Sequence, residues 1–300
     1  MAQIGIVGSG NVGANTALFA AEKGIAHICL YDIKDGLPIG KALDLMEAAP
    51  VRGYQRKISG TNSLDEVLDS QIIMIAAGEI RTPGTKREDL FEKNRGVVEG
   101  IAARLAEFNG VVIVATEPVD VMTAHFVRVS HLTWPKVIGL GGVLDSVRLR
   151  CLIGRALNVH TRDVRATVIG RHSDGMIPLQ EYCSVAGVPL NVLLSQKEID
   201  SVFRDTMTAG DEIVGMEQHA SAYYGPAAAA ADLAEAVIYD TNRILSVSVM
   251  LTGQYGIHDV AMSLPAMVGE DGIERVLEPK LTDEQVALLK SSAQALAAIG

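Results

Sequence analysis

Apolar and polar positions fall into short alternating blocks over the first half of the chain. Gln3-Ile4-Gly5-Ile6-Val7 is an apolar run, residues 14–23 have helical spacing, and residues 27–31 form a second apolar run. Residues 37–49 carry helical spacing through Leu37, Ala42, Leu45 and Met46, and the pattern predicts a stop before Pro50. Residues 57–61 predict a short strand. Residues 72–77 and 111–115 are continuous apolar runs, the signature of parallel strands covered on both faces. Residues 89–108 and 119–130 read as helices, and residues 136–140 as a closing strand. Alternation of this kind predicts a doubly wound parallel sheet.

After residue 143 the pattern changes. Residues 144–157 are helical, 164–170 and 176–185 read as antiparallel strands, and 199–218 and 226–239 as long helices. Pro226 suits a first helical turn, and the alanine run 227–231 predicts close helix packing. Residues 243–252, 259–268 and 273–277 read as strands. Thr282-Asp283-Glu284-Gln285 is a capping box opening the last helix. No linker of low complexity and no repeat interrupts the chain. The expected architecture is α/β, a Rossmann-type doubly wound parallel sheet over residues 1–142 followed by an α+β substrate domain over residues 143–300.

The strongest local signal lies between the first strand and the first helix. Gly8-Ser9-Gly10-Asn11-Val12-Gly13 opens that helix, and Asp32 closes the next strand about 20 residues on, the layout of a dinucleotide site. Gly8 permits the tight turn, Gly10 lets backbone approach a pyrophosphate, and Gly13 lets helix and strand pack closely. The helix start offers free N–H groups to phosphate. Asp32 would accept hydrogen bonds from both ribose hydroxyls and repel a 2′-phosphate, which favours NAD over NADP.

Composition narrows the remaining choices. The 300 residues are 48% hydrophobic with a net charge of −10 and no basic run, which argues against a nucleic-acid partner. An anionic substrate would have to be captured by locally placed arginines. Cys29, Cys151 and Cys183 have no metal spacing and read as buried thiols in a reducing compartment. The chain enters a strand by residue 3, leaving no room for a signal peptide, and no apolar run reaches membrane length. A cytoplasmic protein without a membrane partner is expected.

Four charged stretches carry candidate chemistry. The loop Glu79-Ile80-Arg81-Thr82-Pro83-Gly84-Thr85-Lys86-Arg87 leaves the carboxyl end of a predicted parallel strand, where open α/β sheets bind ligands. It reads either as an anion clamp or as a solvated basic loop. Asp145 and Arg148 share a helix face, as an ion pair or as a histidine partner beside a carboxylate clamp. His172 lies among turn-forming residues in Gly170-Arg171-His172-Ser173-Asp174-Gly175 and is suited to proton transfer near neutral pH. Thr116-Glu117-Pro118-Val119-Asp120 follows the strand at 111–115.

Taken together, GSGNVG, RTPGTKREDL, TEPVD, GVLDSVR, GRHSDGMIP, SAYYGPAAA and LTGQYG resemble the lactate/malate dehydrogenase superfamily in order and spacing, nearest to its lactate-dehydrogenase-like malate dehydrogenase branch. The resemblance implies reversible hydride transfer between NAD and a small dicarboxylate, (S)-malate to oxaloacetate. It implies His172 as proton donor and acceptor, Asp145 as its partner, Arg148 on the C1 carboxylate and Arg87 polarising the ketone. Arg81 takes the position that separates malate from lactate, and Ala222 that of a small residue facing substrate. Ala77, Gly78, Asn94, Ala115, Thr116 and Glu117 match cofactor contacts, and the 117–118 peptide matches a cis bond. A homodimer or homotetramer is implied, with helices near 37–48 and 226–239 as interface elements.

Two positions depart from the family pattern. Glu117 replaces an asparagine that donates a hydrogen bond toward substrate, which a carboxylate cannot do unless protonated. Ser173 replaces a glycine. The alternatives to a malate dehydrogenase are a lactate or other 2-hydroxyacid dehydrogenase, or an NAD-binding homologue with reduced catalysis.

Overall fold

A computed structural model describes residues 2–81, 87–172, 175–217 and 221–300, with backbone alone at 87 and 88. In chain order the first half comprises β1 (Gln3–Val7), α1 (Asn11–Glu22), β2 (His27–Tyr31), α2 (Leu37–Arg52), β3 (Ile58–Thr61), β4 (Ile72–Ile75), α3 (Arg87–Arg104), β5 (Val111–Val114), α4 (Val119–Val129) and β6 (Val137–Gly139). The second half comprises α5 (Gly141–Leu157), β7 (Val164–Arg165), β8 (Val168–Gly170), β9 (Met176–Pro178), β10 (Ser184–Val185), β11 (Val188–Pro189), α6 (Leu190–Leu193), α7 (Gln196–Glu217), α8 (Tyr224–Ile238), β12 (Arg243–Thr252), β13 (His258–Gly269), β14 (Gly272–Val276) and α9 (Asp283–Ala297).

The strands β3-β2-β1-β4-β5-β6 are hydrogen-bonded in that order, all parallel. β4 and β5 are buried at every position, because helices cover both faces. The strand order reverses at β1, whose neighbours are β2 and β4, so the crevice outside their carboxyl ends is the place where such sheets bind ligands. The sheet then continues through antiparallel β12, β13, β8 and β9. Within the sheet the parallel and antiparallel parts are joined where β6 pairs with β12, Ser248 opposite Gly139. A Cβ on Gly139 would lie 2.3 Å from Thr123 Oγ1 and 2.7 Å from Ser248 Cβ, so only glycine allows that approach.

The Rossmann-type expectation holds, with most strand bounds within a residue or two. Three local expectations fail. α2 runs through Pro50 to Arg52. Proline there removes one hydrogen bond to the Met46 carbonyl, but it falls in the last turn, which Gly53 closes in a left-handed conformation by donating to Ala49 O. The predicted strands 164–170 and 176–185 are each broken. Leu179 and Cys183 turn into the core around a single 3-10 turn at Gln180–Tyr182, and β7 pairs with β10 in a separate small sheet with β11. Cys29 and Cys183 are buried, but Cys151 sits on the exposed face of α5.

The alanine run does pack closely. Ala227, Ala230, Ala231 and Ala234 of α8 are buried, and α8 lies on α1, which buries Ala14, Ala17, Ala20 and Ala21. Arg243 holds Asp232 of α8 by two parallel hydrogen bonds at 2.8 and 2.9 Å. The alanine face of α8 is thus buried inside the protomer. α2 by contrast exposes Ile39, Leu43 and Val51. Among the described residues, no helix is long and apolar enough to cross a membrane.

Candidate active site

The glycine turn leaves β1 at the switch point. Gly8 has φ +104°, and a Cβ on it would lie 2.6 Å from Ala77 N, so the turn lies against the exit of β4. A Cβ on Gly13 would lie 2.0 Å from Gly8 O, which fixes how tightly α1 can follow the turn. Gly10 differs, since a Cβ there would meet nothing within 4 Å. No side chain caps α1 at this end, so the first-turn amides of Asn11, Val12 and Gly13 have no partner within the helix. Asp32 accepts from Ser9 N at 2.8 Å, which ties the end of β2 to the turn, and from Lys34 N at 3.0 Å. An open, uncapped, glycine-lined helix start beside a tethered carboxylate fits a dinucleotide's pyrophosphate and ribose.

The opposite wall is built from the ends of β4 and β5. Thr116 Oγ1 donates to Ala77 O at 2.7 Å. Asn94, fully buried on α3, accepts from Glu79 N at 2.7 Å and donates to Glu117 O at 2.8 Å. A Cβ on Gly78 would lie 2.8 Å from Asn94 Oδ1. The visible task of Asn94 is therefore to staple the two loops. The Glu117–Pro118 peptide is cis, as the resemblance implied.

His172 follows β8, which ends on Gly170 at φ +87°. Its backbone N–H donates to Asp120 Oδ2 at 2.6 Å, and Ser248 Oγ donates to Asp120 Oδ1 at 2.5 Å. Its Nδ1 lies 2.8 Å from Asp145 Oδ2, in a side chain 1% exposed. An ionised carboxylate only accepts, so Nδ1 carries a proton and Nε2 is left for exchange. Glu117 Oε1 lies 3.4 Å from Nε2. Burial works to lower the pKa of His172, but the charge and hydrogen bond of Asp145, then those of Glu117, outweigh it and raise the pKa to about 10. Burial pushes Asp120 up to about 6 against the donors from Ser248 and His172.

These groups border one open cavity of about 110 Å³. Val12 from the glycine turn, Ala77 and Gly78 after β4, Ala115, Thr116 and Glu117 after β5, His172, Arg81 and Ala222 all line it. Arg81 forms an ion pair with Asp211 of α7, and Ser221 Oγ donates to its carbonyl at 3.0 Å. Arg148 stands behind the histidine, 3.5 Å from Asp145 Oδ1, and does not line the cavity in this conformation. The Arg87 side chain and Ser173 lie outside the described residues. Among the described residues no group of His, Cys, Asp or Glu could hold a metal ion.

Asp120, Ser248 and Asp211 acquire no role from sequence. The signal for Asp120 was present, as a lone acid in the apolar first turn of α4 between Val119 and Val121. Ser248 and Asp211 had none, because their partners are more than 100 positions away.

Fold and site together define a Rossmann-type protein with an acid–base histidine at its nucleotide edge, the class that contains the nicotinamide-dependent dehydrogenases. Residues 2–139 match the NAD binding domain of lactate/malate dehydrogenase and residues 142–299 its alpha/beta C-terminal domain. The chain is 42% identical over 296 residues to a malate dehydrogenase of Thermomicrobium roseum, covering 98% of this chain and 96% of that one. It superimposes on the crystal structure of a Cryptosporidium parvum malate dehydrogenase with a TM-score of 0.96 at 34% identity, covering 99% and 97% of the two chains. A lactate dehydrogenase of the same organism, solved with lactic acid and β-nicotinamide adenine dinucleotide, gives 0.95 at 35% identity, covering 99% and 96%. The chain belongs to the lactate/malate dehydrogenase family.

Proposed function

We propose that this chain is an NAD-dependent malate dehydrogenase that interconverts (S)-malate and oxaloacetate. The observation that carries the reading is the His172–Asp145 pair at 2.8 Å, opening onto a cavity that also borders the glycine turn and Arg81. The malate dehydrogenase relative at 42% identity supports the substrate. Similar superposition on malate and lactate dehydrogenases means that backbone shape does not choose between them, so the choice rests on Arg81.

Gly8, Ser9, Gly10, Asn11, Val12 and Gly13 would hold the pyrophosphate and Asp32 the ribose. Ala77, Gly78, Asn94, Ala115, Thr116 and Glu117 would form the nicotinamide side. The bound nicotinamide supplies or accepts the hydride. His172 gives a proton from Nε2 to the carbonyl oxygen in reduction and takes it from the hydroxyl in oxidation. Asp145 fixes the ring through Nδ1 and stabilises the imidazolium. Arg148 binds the C1 carboxylate by two parallel hydrogen bonds, Arg81 binds the C4 carboxylate, and Arg87 stabilises charge growing on the reacting oxygen. Ala222 leaves room beside the substrate. For Arg148 this requires a turn away from Asp145 toward the cavity, and for Arg81 exchange of Asp211 for the substrate.

We also propose that residues 1–142 and 143–300 act as nucleotide and substrate domains, and that the protein is cytoplasmic and a homodimer or homotetramer. The exposed Ile39, Leu43 and Val51 of α2 support association through that helix. Steady-state assays with oxaloacetate and pyruvate, each with NADH and NADPH, test the function. Oxaloacetate with NADH should be the best pair, and preference for pyruvate would overturn the assignment.

A further inference from the structure

Glu117 is the side chain that least fits a site for anions. Its Oε1 lies 3.4 Å from Nε2 of His172, the ring nitrogen that Asp145 leaves unused. The residue is held from both sides. Its carbonyl accepts from Asn94 Nδ2 at 2.8 Å, and its Oε2 accepts from Val119 N at 3.3 Å. Its side chain is 36% exposed and lines the same cavity as Val12 and Ala77, where the nicotinamide side of the site is proposed. Among the described residues, the charged groups around His172 are Asp145 and Arg148 from α5, Asp120 from α4, Glu117 from the β5–α4 turn and Arg171 beside it in the chain. Arg81 and Glu79 lie further round the cavity. An amide of the same length at 117 would leave this set one charge unit more positive.

We infer that Glu117 is a specificity-determining residue that selects for positive charge in the reacting pocket, holding His172 as the imidazolium and favouring the oxidised, cationic nicotinamide over the neutral reduced ring. The inference rests on the dehydrogenase reading above. Its physical basis is that a carboxylate attracts both cations through a partly desolvated pocket and has no charge to act on in the reduced ring. At a separation of several ångströms and an effective dielectric constant between those of protein and water, one unit charge is worth roughly tenfold in either equilibrium. The raised pKa of His172 agrees, with burial opposing and Asp145 and then Glu117 supporting the charged form. The same carboxylate opposes the substrate's anionic groups, so the site trades ketoacid affinity for retention of the oxidised cofactor.

Glu117→Gln removes the charge and keeps the length. Two readouts are independent of turnover. The first is the titration of the His172 ring in the free protein by imidazole nitrogen NMR, assigned by its absence from His172→Asn. The second is the pair of dissociation constants for NAD+ and NADH. We expect the His172 midpoint to fall by about one pH unit, the Kd for NAD+ to rise about tenfold, and the Kd for NADH to stay within about twofold. Glu117→Asp, which keeps the charge, should retain most of both effects, and Glu117→Asn serves if the glutamine variant does not fold. An unchanged His172 titration, or equal changes in both dissociation constants, overturns the inference. Wild-type protein that binds neither nucleotide refutes the dehydrogenase reading instead, and the inference falls with it even if the titration moves.

Discussion

Gly10 separates the fold from the nucleotide site more cleanly than any other residue in the glycine turn. It has φ −67° and ψ −166°, a conformation open to alanine, and a Cβ there would meet nothing within 4 Å. Gly10→Ala should therefore cost only the preference for glycine at a helix cap, at most about 1 kcal/mol, or roughly 2–4 °C in Tm for a domain of this size. The added methyl occupies the open space that a pyrophosphate would need to reach the amides of Asn11, Val12 and Gly13. Loss of one such charge-assisted hydrogen bond is worth about 1.5–3 kcal/mol, which predicts a Kd for NADH raised by about 10- to 150-fold. Gly13→Ala is the contrasting variant. Its Cβ would sit 2.0 Å from Gly8 O and 3.1 Å from Ile6 Cγ2, a backbone clash that should destabilise the fold by about 3 kcal/mol or more. Thermal melting and titration of NADH fluorescence read the two effects separately. If Gly10→Ala binds NADH as wild type does, the pyrophosphate does not lie over this turn.

Arg81→Gln should lower kcat/KM for oxaloacetate by tenfold or more and narrow the gap to pyruvate, since one charged hydrogen-bond partner is worth about 1.5–3 kcal/mol. Unchanged selectivity would remove Arg81 from the specificity site. Asp120 supplies a test of linkage. Its carboxyl is raised from 3.8 to about 6 in the folded protein, so the folded state binds the proton more tightly than the unfolded chain. Its contribution to stability is full below pH 4 and is lost as pH rises to about 6, on the order of 3 kcal/mol. Asp120→Asn keeps both contacts, with its amide oxygen accepting from His172 N–H and its nitrogen donating to Ser248 Oγ. Urea unfolding at pH 4.5 and 7 should show that this particular loss is missing from the variant, and an identical pH dependence would contradict the burial argument.

The parallel half was legible because strands such as 72–75 and 111–114 are continuous apolar runs and the glycine turn marks their order. The second half was less so. The split of 176–185 falls at Gln180-Glu181-Tyr182, a turn that exposes Glu181 where a strand with Leu179 and Cys183 inward would also bury residue 181. The continuity of the sheet depends on Gly139 meeting Ser248, a contact between residues 109 positions apart that no local pattern encodes. Within the site, His172 and Asp145 were recognisable as chemistry-bearing types, and the motif resemblance supplied their pairing. The roles of Asp120 and Asn94 emerge only in three dimensions, as the groups that fix the His172 backbone and join the loops carrying Glu79 and Glu117. Pro50 shows the limit of a breaker rule, which locates a weak point in a helix but not which side of its last turn the end will fall.

In the proposed reaction Nε2 of His172 exchanges the proton that accompanies hydride transfer. His172→Asn tests it most directly, with NADH binding followed by fluorescence and oxaloacetate reduction by loss of nicotinamide absorbance. We expect a fall of about 10²–10⁴ in kcat, the range expected on removing a general acid, with the Kd for NADH within a few-fold of wild type. A variant that reduces oxaloacetate at a rate near that of wild type would contradict it and place the proton donor on another residue.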